Sequence, residues 1–251
     1  ICIMYKLETI GLDKSFDGVK IISNISIHVK ENEIVGLIGA SGVGKTTLFN
    51  LISGLLEPNS GEIKIDGKIV NGKVGEVSYM LQKDLLLPYL NIEDNVSLPL
   101  VIGGAKKKEA RKQVQKYFSE FGLEGTQKKY PKHLSGGMRQ RASLLRTYLH
   151  PKEIALLDEP FSALDYQTRL SVSSDICNII RKTGKTAILI THDLSEAISI
   201  ADRIVVLSKR PGTVKCIIPI QLTVTEKTPM ESRNAVEFRD YFNLLWKELE
   251  S

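Results

Sequence analysis

The chain has 251 residues, enough to bury a sizeable core as one large domain or a domain with a subdomain. Its net charge is a mild +5, and the clusters Lys106-Lys107-Lys108 and Lys128-Lys129 lack arginine–aromatic interleaving, so they read as solvated surface and not as a nucleic-acid patch. Three scattered cysteines, Cys2, Cys177 and Cys216, form neither a metal spacing nor a disulfide framework, and no apolar run approaches the ~20 residues of a membrane span or looks like a signal peptide.

Residues 4–10 and 21–29 alternate as strands, with Asp17-Gly18 as a turn signal between them. Glu31-Asn32-Glu33 makes a second turn. The run Ile34-Val35-Gly36-Leu37-Ile38 then has the length and β-branching of a buried parallel strand. It leads directly into Gly39-Ala40-Ser41-Gly42-Val43-Gly44-Lys45-Thr46-Thr47, which fits G-x-x-x-x-G-K-[ST] in full, and residues 47–52 continue as a helix. Strand, glycine loop and helix in that order are the context in which this motif binds the phosphates of a nucleotide. Gly39, Gly42 and Gly44 let several backbone N–H groups turn inward. The helix N-terminus adds partial positive charge, Lys45 a full one for the β- and γ-phosphates, and the Thr46 hydroxyl suits Mg²⁺.

After a break at Glu57-Pro58-Asn59-Ser60-Gly61, residues 62–70 alternate as a hairpin around Asp66-Gly67. An antiparallel β subdomain beside a parallel core follows from this. Residues 77–81 read as a strand ending at Gln82. From about 84 to 150 the character is helical: Asn91 is placed to cap a helix through Leu98, residues 106–121 are amphipathic, and another helix starts at Leu134-Ser135-Gly136-Gly137. The apolar run Leu85 to Leu90 either lines the helical core or forms an exposed docking rim, the rim resting mainly on Leu87 and Tyr89. Residues 154–157 are a buried strand ending in Asp158-Glu159-Pro160. Residues 170–183 form a helix closed by Gly184, and 186–190 a strand ending at Thr191-His192-Asp193. A short helix over 195–201, a strand over 203–207 and an amphipathic helix over about 235–249, its aromatic stripe packed on the domain, complete the chain. The expected class is α/β: a P-loop NTPase core with a parallel sheet, an antiparallel β subdomain and a helical subdomain, all in one domain over 1–251.

Two adjacent acids behind four apolar residues have a physical reading. Asp158 ends its strand beside the phosphate loop, where a carboxylate holds Mg²⁺ through water. Glu159 points elsewhere and is placed to polarise an attacking water. Ser135-Gly136-Gly137 at a helix start is a second anion-binding element or, alternatively, an ordinary cap.

These features, in this order, resemble the ATP-binding cassette family over nearly the whole chain. Leu134-Ser135-Gly136-Gly137-Met138-Arg139-Gln140 is similar to its signature motif, 90 residues after Lys45. Residues 154–159 resemble its Walker B strand and adjacent acid, Gln82 its Q-loop, Ser162-Ala163-Leu164-Asp165 its D-loop and His192 its switch histidine. The resemblance implies that Glu159, His192 and Gln82 act in catalysis and that Thr46, Gln82 and Asp158 hold Mg²⁺. It also implies that Ser135, Gly136, Gly137 and Gln140 meet ATP bound to the opposite subunit of a homodimer, or of a pair with a like cassette. Phe16, 29 residues before Lys45, stands where relatives stack an aromatic on adenine; the competing reading is a half-buried strand aromatic.

The spacing leaves no room for the coiled coil of DNA-repair relatives. The stretch after Ile220 is too short for the regulatory barrel of sugar-importer relatives. Residues 80–96, with Arg210-Pro211-Gly212, look most like the nitrate/sulfonate/taurine importer group, and pyrimidine-precursor importers are similar there. Lys83-Asp84 departs from that group, which more often has an acid first. The expected function is ATP hydrolysis that energises a multi-chain bacterial importer on the cytoplasmic face of the cell membrane. Its expected partners are membrane permease subunits and, indirectly, a solute-binding protein, without nucleic acid. The alternative is a soluble regulatory or DNA-associated cassette.

Overall fold

The computed structural model describes residues 4–162, 164–225 and 227–250; Cys2 and Ala163 of the expected D-loop lie outside them. Two sheets organise the chain. β1 (Leu7–Phe16) and β2 (Val19–Val29) pair antiparallel across the Asp17-Gly18 turn, and β4 (Ser60–Ile65) with the short β5 (Lys68–Ile69) completes a four-stranded antiparallel sheet in the order β2-β1-β4-β5. β1 runs on to Phe16, well past the expected end. Register shifts between Thr9 and Ser15 mark irregular pairing there, which interrupts the alternation that the sequence shows.

The second sheet has the order β10-β9-β3-β8-β7-β6. β3 (Ile34–Ile38), β8 (Thr186–Ile190), β7 (Ile154–Asp158), β6 (Ser78–Met80) and β9 (Arg203–Leu207) are parallel, and β10 (Val214–Pro219) pairs antiparallel with β9 at the edge. Every residue of β3, β7 and β8 is buried. Their side chains alternate between two cores: Ile154 and Leu156 join the core shared with the antiparallel sheet, while Ala155 and Leu157 face the helical side. Burial on both faces explains why these strands read as continuous apolar runs.

The helical side consists of α2 (Ile92–Ile102), α3 (Lys107–Glu120), α4 (Gly136–Tyr148) and α5 (Tyr166–Thr183). Asn91 caps α2 by accepting from Asp94 N at 2.8 Å, and the helix continues through Pro99 to Ile102, beyond the expected Leu98. α5 starts four residues earlier than expected because Asp165 Oδ1 accepts from Thr168 N at 3.0 Å. Gly184 closes α5 in the left-handed region at φ 65°.

α1 (Lys45–Ile52) follows the phosphate loop, and α6 (Leu194–Ile200) lies between β8 and β9. A short α7 (Pro229–Ser232) precedes α8 (Phe238–Glu250). α8 lays Phe238, Tyr241, Phe242, Leu245 and Leu249 on a third apolar cluster with β9 and α6. Among the described residues, no helix is long and apolar enough to cross a membrane.

Candidate functional site

The carboxyl ends of four adjacent parallel strands carry most of the expected site. In an open α/β sheet that edge is where ligands bind. Asp158 pairs with Ile190, which pairs in turn with Leu37, so the end of β7 is level with the end of β3 across the width of β8. The turn after β3 is tight. A Cβ on Gly44, at φ 107°, would come within 2.6 Å of Ile22 Cγ2, so only glycine fits between the loop and β2. The loop, Phe16, Gln82, Asp158 and Glu159 line one cavity of about 430 Å³.

Within it, Lys45 Nζ donates to the carbonyls of Gly39 at 2.7 Å and Ala40 at 3.0 Å, so its charge stays at the mouth of the loop. Burial pushes the Lys45 ammonium down from its ordinary range, opposed by Glu159 and Asp158. The Thr46 hydroxyl donates to Asp158 Oδ2 at 3.2 Å. Burial raises the Asp158 carboxyl, against that hydroxyl bond. Two hard oxygens therefore converge at the loop.

Glu159 is the hub of a second group. Gln82 Nε2 donates to Glu159 Oε2 at 2.8 Å, and His192 Nδ1 lies 3.3 Å from Glu159 Oε1. The three residues come from the ends of β6, β7 and β8, neighbours in the sheet but far apart in sequence. Glu159 has φ 48°, in the left-handed region, where a non-glycine residue costs about 1–3 kcal/mol. Its own N–H donates to Ile190 O at 2.9 Å, which fixes that turn to β8.

The loop around His192 is held by residues that no motif names. Thr191 Oγ1 donates to the buried Glu196 Oε2 at 2.6 Å, and Asp193 caps α6 by accepting from Ser195 N at 2.8 Å. Arg169 of α5 lies 3.5 Å from Asp193 and 3.6 Å from Glu196. Only the capping position of Asp193, just before a helix, is a signal that the sequence carries.

Phe16 closes the cavity on the β1 side and is 41% exposed, with Lys14 Nζ 5.2 Å from its ring centroid. Arg210, from the β9–β10 turn, also lines the cavity; the sequence marks it only as part of Arg210-Pro211-Gly212.

The signature residues are elsewhere. Ser135 caps α4, accepting from Met138 N at 3.3 Å, and is exposed; it does not line the cavity with Lys45. Gly136 and Gly137 open the same helix. Gln140 turns inward: it is buried and donates to Pro160 O at 2.7 Å, which ties α4 to the turn after Glu159. Asp165 is exposed and serves as the α5 cap. Of the apolar run after Gln82, Leu86 is in the core and Leu87 is half-buried, while Leu85 and Tyr89 are exposed, Tyr89 at 71%.

The family model for ABC transporters matches residues 22–162, which include the phosphate loop, signature turn and paired acids. The chain is 42% identical to the formylaminopyrimidine import ATP-binding protein of Halalkalibacterium halodurans, covering 91% of each. It is 38% identical to the nitrate import ATP-binding protein of Synechocystis sp., covering 89% of this chain and 85% of that one. A dimeric ATP-binding cassette in a post-hydrolysis state with ADP and Pi superimposes with a TM-score of 0.77 at 27% identity, covering 86% of this chain and 99% of that one.

Proposed function

The chain belongs to the ABC transporter ATP-binding family and is an ATPase, and from that premise we propose that it energises a multi-chain bacterial importer of a small solute. The solute class is that of nitrate, sulfonates and taurine or of pyrimidine precursors. The supporting observation is the likeness, over nine-tenths of both chains, to a relative that is itself an import ATP-binding subunit.

In the site, the loop N–H groups, Lys45 and the α1 N-terminus bind the phosphate chain, and Phe16 stacks on the base. Mg²⁺ takes few protein oxygens and keeps water and phosphate as its other ligands. The Thr46 hydroxyl, the Asp158 carboxylate and the Gln82 amide oxygen, whose nitrogen is engaged by Glu159, fit such an ion. Bound Mg²⁺ supplies charge neutralisation at the phosphates. Glu159 takes a proton from the attacking water, and His192 and Gln82 hold that carboxylate and the water in line.

Ser135, Gly136 and Gly137 complete the site of a second copy, and Asp165 lies at that interface. Gln140 supports this turn from behind. Permease subunits dock on the rim directly after Gln82, which rests on Tyr89 and on the exposed Leu85 in place of the expected Leu87, whose side chain is half-buried, and place the chain peripherally on the cytoplasmic face of the membrane. A solute-binding protein acts through the permease.

Solubilised membranes from the native cell test this. The chain should co-purify with integral membrane subunits, and Tyr89→Asp should abolish that association with folding and basal turnover unchanged. Recovery of the wild-type chain without any membrane subunit would support the regulatory or DNA-associated alternative and overturn the importer reading.

A further inference from the structure

The family motifs supply one cation, Lys45, to the nucleotide cavity, and Arg210 lines the same cavity. The turn that carries Arg210 is fastened to β2, beside the phosphate loop. Gly212 N donates to Ile21 O at 2.8 Å, and Ser23 N donates to Gly212 O at 2.9 Å. A Cβ on Gly212 would lie 2.3 Å from Val43 O, a backbone atom of the phosphate loop itself, so no side chain fits there. The turn is also closed on itself: Ser208 N donates to Thr213 O at 2.9 Å, and Thr213 N donates to Ser208 Oγ at 3.0 Å. The backbone two residues from Arg210 is therefore pinned to β2 and packed closely against the loop that wraps the phosphates.

The side chain itself is exposed and, among the described residues, has no hydrogen bond or ion pair. A guanidinium on a cavity wall with all its donors free is available to a ligand. A nucleoside triphosphate carries more negative charge than Lys45 and one divalent ion neutralise. A planar fork matches phosphate oxygens in a way that an ammonium does not.

We propose that Arg210 is a binding residue of the nucleotide site, a guanidinium directed at the phosphate chain and positioned by the packing of Gly212 on Val43. The proposal rests on the reading of this cavity as the ATP site. It gives the Arg-Pro-Gly turn a chemical role: arginine to bind, glycine to permit the close approach.

Calorimetry on the full chain tests it, with ATP and adenosine as probes and Lys45→Ala as reference. Arg210→Ala should weaken ATP binding about tenfold, the scale of one partly exposed charge-assisted hydrogen bond. It should leave adenosine affinity unchanged, Arg210→Lys should fall between, and the salt dependence of the ATP Kd should become shallower. If Lys45→Ala weakens ATP binding and Arg210→Ala does not, Arg210 has no role and the site reading stands. If neither changes it, both fall. Equal losses for ATP and adenosine would overturn the phosphate assignment. Circular dichroism melts of Arg210→Ala should match wild type, since no contact of its side chain is lost.

Discussion

The two halves of the chemistry that this chain carries are attached to it in different ways. The phosphate loop, Asp158, Glu159 and His192 follow strands buried on both faces and hydrogen-bonded side by side. The signature turn Ser135-Gly136-Gly137 starts a helix of the helical side, whose Ala142, Leu144, Leu145 and Leu149 share a core with Ala155 and Leu157 of β7, and polar tethers add to that packing. Gln140 reaches Pro160 O; Arg139 Nε donates to Asp84 Oδ2 at 3.1 Å; and Arg146 donates to the carbonyls of Asp84 and Leu85, each at 2.8 Å. Groups that must hold atoms in line are on the stiffest element available. The signature turn is different: it is the exposed start of a helix whose inner face is packed into the same core, so only the turn itself faces outward. Two of the tethers hold residues just after Gln82, so the candidate γ-phosphate sensor and the signature helix share an anchor.

The rigid half should fail first, and by chemistry alone. Glu159→Gln keeps an oxygen for the Gln82 amide and a group beside His192, so the geometry survives without a proton acceptor. Turnover should fall about 10²–10⁴-fold while ATP binding persists, leaving an ATP-bound dimer. Steady-state hydrolysis near the wild-type rate would remove Glu159 as base.

The outward half should fail in a different way. Ser135 does not line the cavity of its own chain, so Ser135→Arg should leave ATP binding by one copy intact and cut hydrolysis on the order of a hundredfold. Mixed dimers sharpen the contrast. With Ser135→Arg on one copy and Lys45→Ala on the other, both lesions fall in one composite site and the second site should still close on ATP. Mixed dimers with no closed site, when each parent forms one, would show that each chain uses its own signature turn.

The tethers come next. Arg146 is half-buried, and burial lowers its pKa; its two bonds hold the carbonyls of Asp84 and Leu85. Arg146→Ala should cost about 2 kcal/mol in urea unfolding. It should also decouple the halves, so that ATP no longer protects the signature helix from hydrogen exchange. A destabilised variant that keeps this protection would leave the tether a purely structural one.

The same contrast explains what could be read beforehand. Strands buried on both faces announce themselves as short apolar runs, and the phosphate loop is a local motif, so β3, β7, β8 and the order of the acids were legible. β10 was not: its burial alternates only weakly, and Lys215 and Pro219 mark it as an edge. The first turn of α5, Tyr166-Gln167-Thr168-Arg169, has no apolar periodicity, so only its Asp165 cap reveals it. Pairing across the fold leaves no trace in spacing. The meeting of Gln82 with Glu159, the clamp of Arg139 and Arg146 on Asp84, and the inward turn of Gln140 all depend on which strands lie side by side. The departure Lys83-Asp84 gains a reason from the same clamp, because Asp84 is the carboxylate that Arg139 holds.

The smallest expected effect runs against activity. Asp158 is buried, and its folded-state pKa is raised chiefly by that burial, with Thr46 and Lys45 opposing. For an acid raised in the folded state, the unfolded chain releases its proton first. Stability is then lost as pH climbs from the ordinary carboxylate range through the elevated folded value, and the loss persists at neutral pH. Asp158→Asn removes the charge and keeps an oxygen for the Thr46 hydroxyl. In nucleotide-free protein at neutral pH it should therefore gain on the order of 1 kcal/mol, while hydrolysis collapses if that carboxylate holds the ion as proposed. The gain should shrink as the pH is lowered into the carboxylate range, where the wild-type aspartate is protonated as well. Urea titrations of both proteins across that range check the sign. A variant less stable than wild type at neutral pH would mean that Lys45 and Thr46 stabilise the Asp158 carboxylate by more than burial penalises it.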